Sequence, residues 1–167
     1  MKLERIKGKI PEVIYEVLSK EIAEFRPAQV KAINSGLLEG KNLLVCTPTA
    51  SGKTLIAELA SLKAILEKKG KVIYIAPLKA LASEKFADFK NRYRGIIKVA
   101  LSMGDIDSDD SYLAGYDMII CTAEKLDSLI RHHAPWLAMV SLVVIDEIHL
   151  LNDAERGPTL EILITIM

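Results

Sequence analysis

Short apolar, β-branched runs alternate along this chain with segments of helical periodicity, and that alternation restricts the fold more than any other feature. The runs lie at 43–47, 72–76, 96–101, 117–122 and 142–146. Between them, Leu55, Leu59, Leu62 and Leu66 recur at helical spacing over 53–66. Ala82, Phe86, Phe89 and Tyr93 share one face of a second helix, and Leu126, Leu129 and Ile130 mark a third over 123–132. Gly70 and Pro77 punctuate the pattern, and Pro158 opens a last helix at a favoured first-turn position. The runs are apolar on both faces rather than alternating, which predicts a mostly parallel sheet with helices on both faces. Two further helices, at 11–18 and 27–38, precede the first run. In the second of these Val30, Ile33 and Leu37 are in step, and Gly40 follows its end. The fold class expected is α/β, one domain over 1–167, with 1–40 as a helical lead-in.

With 167 residues, half of them hydrophobic, the chain has enough apolar material for one core and is no disordered tail. Its 22 basic and 22 acidic residues cancel, so any nucleic-acid contact must come from a local patch rather than a global field. Even apolar stretches such as 72–76 and 142–145 fall far short of the roughly 18 residues of a membrane helix. The first residues carry no secretory leader, so the default expectation is a cytoplasmic protein without a membrane partner. Cys46 and Cys121 sit in apolar runs with no CxxC, and read as small buried hydrophobes. The chain stops inside an apolar, helix-like run, which reads as a cut piece of something longer.

The chemistry concentrates in two places. Thr47-Pro48-Thr49-Ala50-Ser51-Gly52-Lys53-Thr54 lies between an apolar run and a helix, the context a phosphate-binding loop requires. Backbone N–H groups of the loop after Pro48, from Thr49 to Thr54 at the helix start, would face phosphates, Lys53 would reach the β- and γ-phosphates, and Thr54 would offer a hydroxyl to Mg²⁺. Thr47 stands where the strict motif has Gly. A lysine at a helix N-terminus opposes the helix dipole, so a plain strand–turn–helix junction explains it poorly. The second place is Asp146-Glu147, two carboxylates ending an apolar run. Such a run delivers them to the C-terminal edge of a parallel sheet, where Asp146 can hold Mg²⁺ and Glu147 can deprotonate an attacking water.

Together with further blocks these residues resemble the superfamily-two helicases. Phe25-Arg26-Pro27-Ala28-Gln29 resembles their adenine-reading Q motif, and Thr47 to Thr54 their motif I. Ala76-Pro77-Leu78-Lys79-Ala80-Leu81 is similar to motif Ia, Thr122-Ala123-Glu124-Lys125 to motif Ib, and Asp146-Glu147-Ile148-His149 to motif II. The Asp-Glu-Ile-His form and the stretch from Glu155 to Glu161 are most similar to the Ski-like group and its archaeal Hjm-type DNA-repair helicases. The resemblance implies a first RecA-like P-loop NTPase domain that uses ATP and Mg²⁺. It implies that Gln29 reads adenine with Arg26 or Phe25 packing nearby, and that His149 couples the nucleotide site to the strand-binding face. It implies that Lys79, Thr122 and Lys125 touch nucleic-acid phosphates. Lys79 stands where many relatives carry Arg, and a point charge is less directional than a fork.

The implied partners are single-stranded or forked DNA and a second RecA-like domain of the same full-length chain. Motif III, that second domain and its arginine finger are not in this sequence. An arginine finger can be worth about 10³–10⁵ in rate, so this chain alone is expected to be poorly active. The family resemblance favours 3′ to 5′ translocation on DNA in repair or recombination. An RNA helicase of the same group, a stand-alone P-loop kinase and a non-catalytic nucleic-acid-binding module are the competing readings. The kinase would need a lid and an acceptor site, and neither is visible.

Several weaker features remain. The acidic stretch at 104–110 fails as a calcium loop, since the glycine and terminal glutamate are misplaced, and reads as a solvated loop. His132 and His133 follow a helix and suit its negative end. Arg131 extends a phosphate-tracking strip from Lys125. Trp136 is expected in the core in preference to a base-stacking role. Arg156 either braces the motif II loop or reaches nucleic acid, or else is a surface residue paired with Glu155 or Asp153.

Overall fold

The computed structural model describes residues 1–48, 51–103 and 110–166. They gather into two compact units, Met1–Lys69 and Gly70–Met167.

In the first unit a 3₁₀ turn at Leu3–Ile6 precedes α1 (Glu12–Ser19), α2 (Pro27–Asn34) and α3 (Lys53–Leu66). Leu3, Ile6, Ile14, Leu18, Phe25, Ile33, Leu59 and Leu62 form its buried interior. Phe25 is therefore core material, and the chain around it is pinned by the Phe25 N–H donating to the Met1 carbonyl at 2.8 Å. α2 begins with Pro27 at its first position, where the missing N–H costs nothing. It ends at Asn34, short of the expected residue 38. Gly36 adopts φ +103°, and the Leu37 N–H returns to the Ala32 carbonyl while the Gly36 N–H returns to Ile33. That left-handed cap stops the helix although the apolar period runs on through Leu37.

The expected strand at 43–47 is not a strand. The segment joins no ladder, and Leu44 is 72% exposed. A short apolar run specifies a strand only where a sheet edge receives it, and here it enters none. The expectation that both cysteines are buried fails at the same place: Cys46 is exposed and Cys121 is buried.

In the second unit the elements are β1 (Lys71–Ile75), α4 (Lys79–Arg92), β2 (Val99–Ser102), β3 (Met118–Cys121), α5 (Ala123–Arg131), β4 (Val140–Ile145) and α6 (Gly157–Ile166). The strands form a parallel sheet in the order β2-β3-β1-β4. The fold is mixed α/β, of the RecA-like P-loop NTPase kind expected. β1 and β3 are buried along their whole length, which is why they read as unbroken apolar runs. One face of the sheet, Ile73, Ile75, Ala100, Ile119 and Cys121, packs with Leu126 and Leu129 of α5, Leu160 and Leu163 of α6, and Trp136. Trp136 is core, as expected. On the other face the ring of Tyr74 lies 5.7 Å from that of Phe89 of α4. Among the described residues no helix is long and apolar enough to cross a membrane.

The strands end in register. Ile75 lies opposite Cys121 and Ile145, and Ser102 opposite Cys121. Asp146, Ala76, Thr122 and Met103 therefore follow directly at one edge of the sheet, the C-terminal edge where open parallel sheets bind ligands.

Candidate functional site

One group of candidate residues lies in the first unit. Gly52 is the residue before α3 and adopts φ +88°, ψ 30°. A left-handed residue leading into a helix start turns successive N–H groups to one side and forms a concavity for anions. Gly52 is held there by Gln29, whose amide nitrogen donates to the Gly52 carbonyl at 3.1 Å. The Gln29 carbonyl in turn accepts the Arg26 N–H at 2.8 Å, closing a capping box on α2. Gln29 is buried, and its amide retains one N–H and one lone pair beyond these bonds. A Cβ on Gly52 would run into the Gln29 amide and touch the Arg26 side chain. This is a cradle that only glycine leaves open.

Lys53 is the first residue of α3, and its ammonium folds back to donate to the Thr47 carbonyl at 3.3 Å. Hydroxyls of Thr47 and Ser51 lie 2.7 Å apart, and the Ser51 N–H donates to the Pro48 carbonyl at 3.4 Å. The Lys53 charge, unfavourable at a helix start, is thus turned over the loop rather than away from it. Thr54 follows on the first turn of α3. Thr49 and Ala50, expected to line the phosphates, lie outside the described residues.

A separate group lies in the second unit. The Asp146 N–H continues the ladder to the Ile75 carbonyl at 3.0 Å. One Asp146 carboxylate oxygen accepts the Tyr74 hydroxyl at 2.9 Å, and the other accepts the Glu147 N–H at 3.0 Å. Glu147 itself adopts φ +54°, ψ 49°. A left-handed glutamate is uncommon, and such backbone strain concentrates at functional positions. Its carboxylate lies 3.1 Å from the Nδ1 of His149, which is exposed.

Arg156 stands 3.5 Å from the Pro77 carbonyl, in the segment that joins β1 to α4. Its own N–H and that of Glu155 donate to Asp153 at 3.0 Å. These bonds, that of Arg156 foremost, hold the Asp153 carboxyl below the usual carboxylate range. The Arg156 guanidinium thus reaches the segment after β1, while its bond to Asp153 is made by its backbone N–H.

Residues expected on the nucleic-acid face divide. Lys79 opens α4 and is exposed. Arg131 is exposed and pairs at 2.7 Å with Asp127, one turn earlier on α5. That hydrogen bond raises its already high pKa. Thr122 and Lys125 are both buried. The Thr122 hydroxyl caps α5 by accepting the Lys125 N–H at 3.4 Å. The Lys125 ammonium lies 3.1 Å from Asp110, whose same oxygen accepts the Ser102 hydroxyl at 2.8 Å. These polar groups are committed within the protein, because a buried charge must be paired to be tolerated. Asp110 is half-buried and paired with Lys125, while residues 104–109 of that stretch lie outside the described residues.

Residues 26–167 match the family model of the DEAD/DEAH box helicases. The chain belongs to that family. Among curated relatives, this DEAD/DEAH box chain is 52% identical to the ATP-dependent DNA helicase Hel308 of Pyrococcus horikoshii, over all of its own length and 23% of that protein's. It is 55% identical to Hel308 of Pyrococcus abyssi, over 95% of its own length and 22% of that protein's. The chain thus spans less than a quarter of these relatives and corresponds to their first RecA-like region. Among solved structures it resembles the Mycobacterium smegmatis helicase Lhr bound to single-stranded DNA and AMP-PNP. The TM-score is 0.78 at 30% identity, covering 92% of this chain and 22% of that one. The helicase MrfA bound to DNA and AMPPNP gives a TM-score of 0.72 at 30% identity, covering 84% of this chain and 21% of that one.

Two residues gain their meaning only from the structure. Asp110 lies in an acidic stretch and pairs with Lys125. Tyr74 reads in the sequence as one more apolar residue of a strand, yet its hydroxyl meets Asp146. The available signal was its hydroxyl, since a tyrosine buried in an otherwise aliphatic strand must find a hydrogen-bond partner.

Proposed function

We propose that this chain is the first RecA-like motor domain of an ATP-dependent DNA helicase acting in repair or recombination, and that it binds Mg-ATP. The observation that carries this reading is the left-handed Gly52 at the start of α3, with the Lys53 ammonium folded over the loop it closes. In this reading the loop N–H groups and Lys53 take the β- and γ-phosphates. Gln29 reads the adenine edge with its remaining donor and acceptor, and Arg26 lies beside it. Thr54 and Asp146 hold Mg²⁺. Among the described residues no group of three or more His, Cys, Asp or Glu could hold a metal alone. The Asp146 carboxylate suits Mg²⁺, which protein sites hold through one or two carboxylates together with phosphates and water. When bound, Mg²⁺ neutralises charge developing on the transferred phosphoryl group.

Glu147 accepts the proton of the attacking water. His149, within hydrogen-bonding distance of Glu147, couples that base to the nucleic-acid face, and Arg156 ties the motif II loop to the start of α4. Lys79 and Arg131 contact DNA phosphates. A second RecA-like domain, supplied by a longer chain, completes the cleft and provides the arginine finger. Without it, hydrolysis is slow.

Calorimetric titration with Mg-ADP tests this reading. The wild-type chain should bind, and Lys53→Ala should not. Equal binding by both would refute the phosphate role of Lys53 and with it the proposal.

A further inference from the structure

The buried hydroxyl of Tyr74 is the one polar group of β1 that reaches the motif II carboxylate, and no motif assigns it a role. Tyr74 is 1% exposed. Its backbone pairs with Val144 of β4, two residues before Asp146, so its position relative to Asp146 is set by the sheet. Its ring is clamped by Phe89, and Phe89 by Tyr93 at 5.9 Å. The hydroxyl donates at 2.9 Å to one oxygen of Asp146, while the Glu147 N–H holds the other at 3.0 Å. Between them the two donors fix both the rotation and the tilt of the carboxylate. Each oxygen keeps a lone pair, because a carboxylate offers about four acceptor sites. Partners of this kind orient a metal ligand before the metal arrives, and they govern affinity nearly as strongly as the ligand itself.

We propose that Tyr74 is a positioning residue that presets the Asp146 carboxylate for the divalent cation accompanying the nucleotide. This rests on the reading of Asp146 as a metal ligand. The aromatic stack adds a consequence. The same ring that holds Asp146 is packed on α4, whose first residue is Lys79, so the orientation of the metal ligand is tied mechanically to the helix that opens with an expected DNA contact.

The test uses Mn²⁺ as a paramagnetic probe, with the chain and ADP titrated together and bound metal counted by electron paramagnetic resonance. Four proteins are compared: wild type, Asp146→Asn, Tyr74→Phe and Phe89→Leu. The proposal expects Tyr74→Phe to need about 10-fold more Mn²⁺ for half-saturation, with metal-free ADP binding unchanged. Phe keeps the ring contact with Phe89, so the fold should persist. Phe89→Leu loosens that packing but keeps the hydroxyl, and should melt earlier with near-normal Mn²⁺ demand. If Tyr74→Phe matches wild type while Asp146→Asn loses Mn²⁺, the positioning role falls and the reading of Asp146 stands. If Phe89→Leu shifts Mn²⁺ demand as much as Tyr74→Phe, packing alone is responsible and the proposal is overturned. If Asp146→Asn leaves Mn²⁺ demand unchanged, the underlying reading fails and takes this proposal with it.

Discussion

The ammonium of Lys125 lies 3.1 Å from the carboxylate of Asp110, and both side chains are largely withdrawn from water. The pair joins the start of α5 to the segment after β2, with Ser102 completing it at 2.8 Å. Lys125 of the Thr122-Ala123-Glu124-Lys125 block is thus held within the protein as a paired cation.

Removing one member of such a pair leaves the other charged and unpaired. Lys125→Ala should therefore destabilise the chain by about 3 kcal/mol, read from a urea or guanidinium melt. At temperatures where the variant is folded, its affinity for single-stranded DNA should stay near the wild-type value. Lys79→Ala should do the reverse, weakening DNA binding and lowering the salt slope by about 1 with little change in stability. A fall in DNA affinity confined to Lys125→Ala would restore the phosphate role.

The two thiols differ in access. Cys46 is exposed, while Cys121 is fully covered in β3 and burial pushes its thiol up to about 12. The thiolate is the reactive form, so Cys121 should be inert at neutral pH. Titration of the native chain with a thiol reagent should release one fast equivalent, abolished by Cys46→Ser, and a second only on unfolding. Protection of Cys46 in the native chain would mean that the 43–47 segment is covered after all.

These residues show where reading a sequence succeeds. α3 was legible to the residue, Lys53–Leu66, because its leucine period, its preceding glycine and its length all agree. The central strands were legible because burial on both faces leaves an unmistakable apolar run. The segment at 43–47 has the same composition, yet strand formation needs a partner edge, and a partner is not written in the run itself. The same limit applies to charges. Nothing local distinguishes Lys125, buried against Asp110, from Lys79, exposed at a helix start. Their difference arises from contacts between residues far apart in the chain. Tyr74 was missed for a related reason, since its meaning depends on Asp146, 72 residues later.

Asp153 gives a pH dependence whose sign follows from its bonds. Its carboxylate accepts the N–H groups of Arg156 and Glu155, and its pKa in the folded chain lies below an aspartate's ordinary 3.8. The unfolded state therefore binds the proton more readily. The stabilisation is present above pH 3.8 and is lost as pH falls through the lower folded value. Asp153→Ala should melt earlier than wild type at neutral pH, and the gap should narrow as pH falls below 3.8. A gap independent of pH would show that the carboxylate charge contributes nothing.

Glu147 separates binding from hydrolysis. Glu147→Gln keeps the backbone and the approximate shape but cannot take a proton from water. In the longer protein, DNA-stimulated phosphate release should fall by roughly 10²–10⁴-fold with ADP affinity nearly unchanged. Loss of ADP binding instead would mean that Glu147 holds the nucleotide rather than acting on water.

Gly52 offers the sharpest test of the loop, because its strain and its clash can be separated. Alanine at φ +88° costs about 1–2 kcal/mol for the left-handed backbone alone. Its Cβ also drives into the Gln29 amide, forfeiting the bond to the Gly52 carbonyl, worth about another 1 kcal/mol. Gln29→Ala removes the obstacle together with that bond. The double variant Gly52→Ala, Gln29→Ala should therefore be more stable than the sum of the single losses predicts, by roughly 1 kcal/mol in a denaturant-melt cycle. Additive losses would place the cost of Gly52→Ala in the backbone alone and would leave Gln29 without a part in shaping the phosphate cradle.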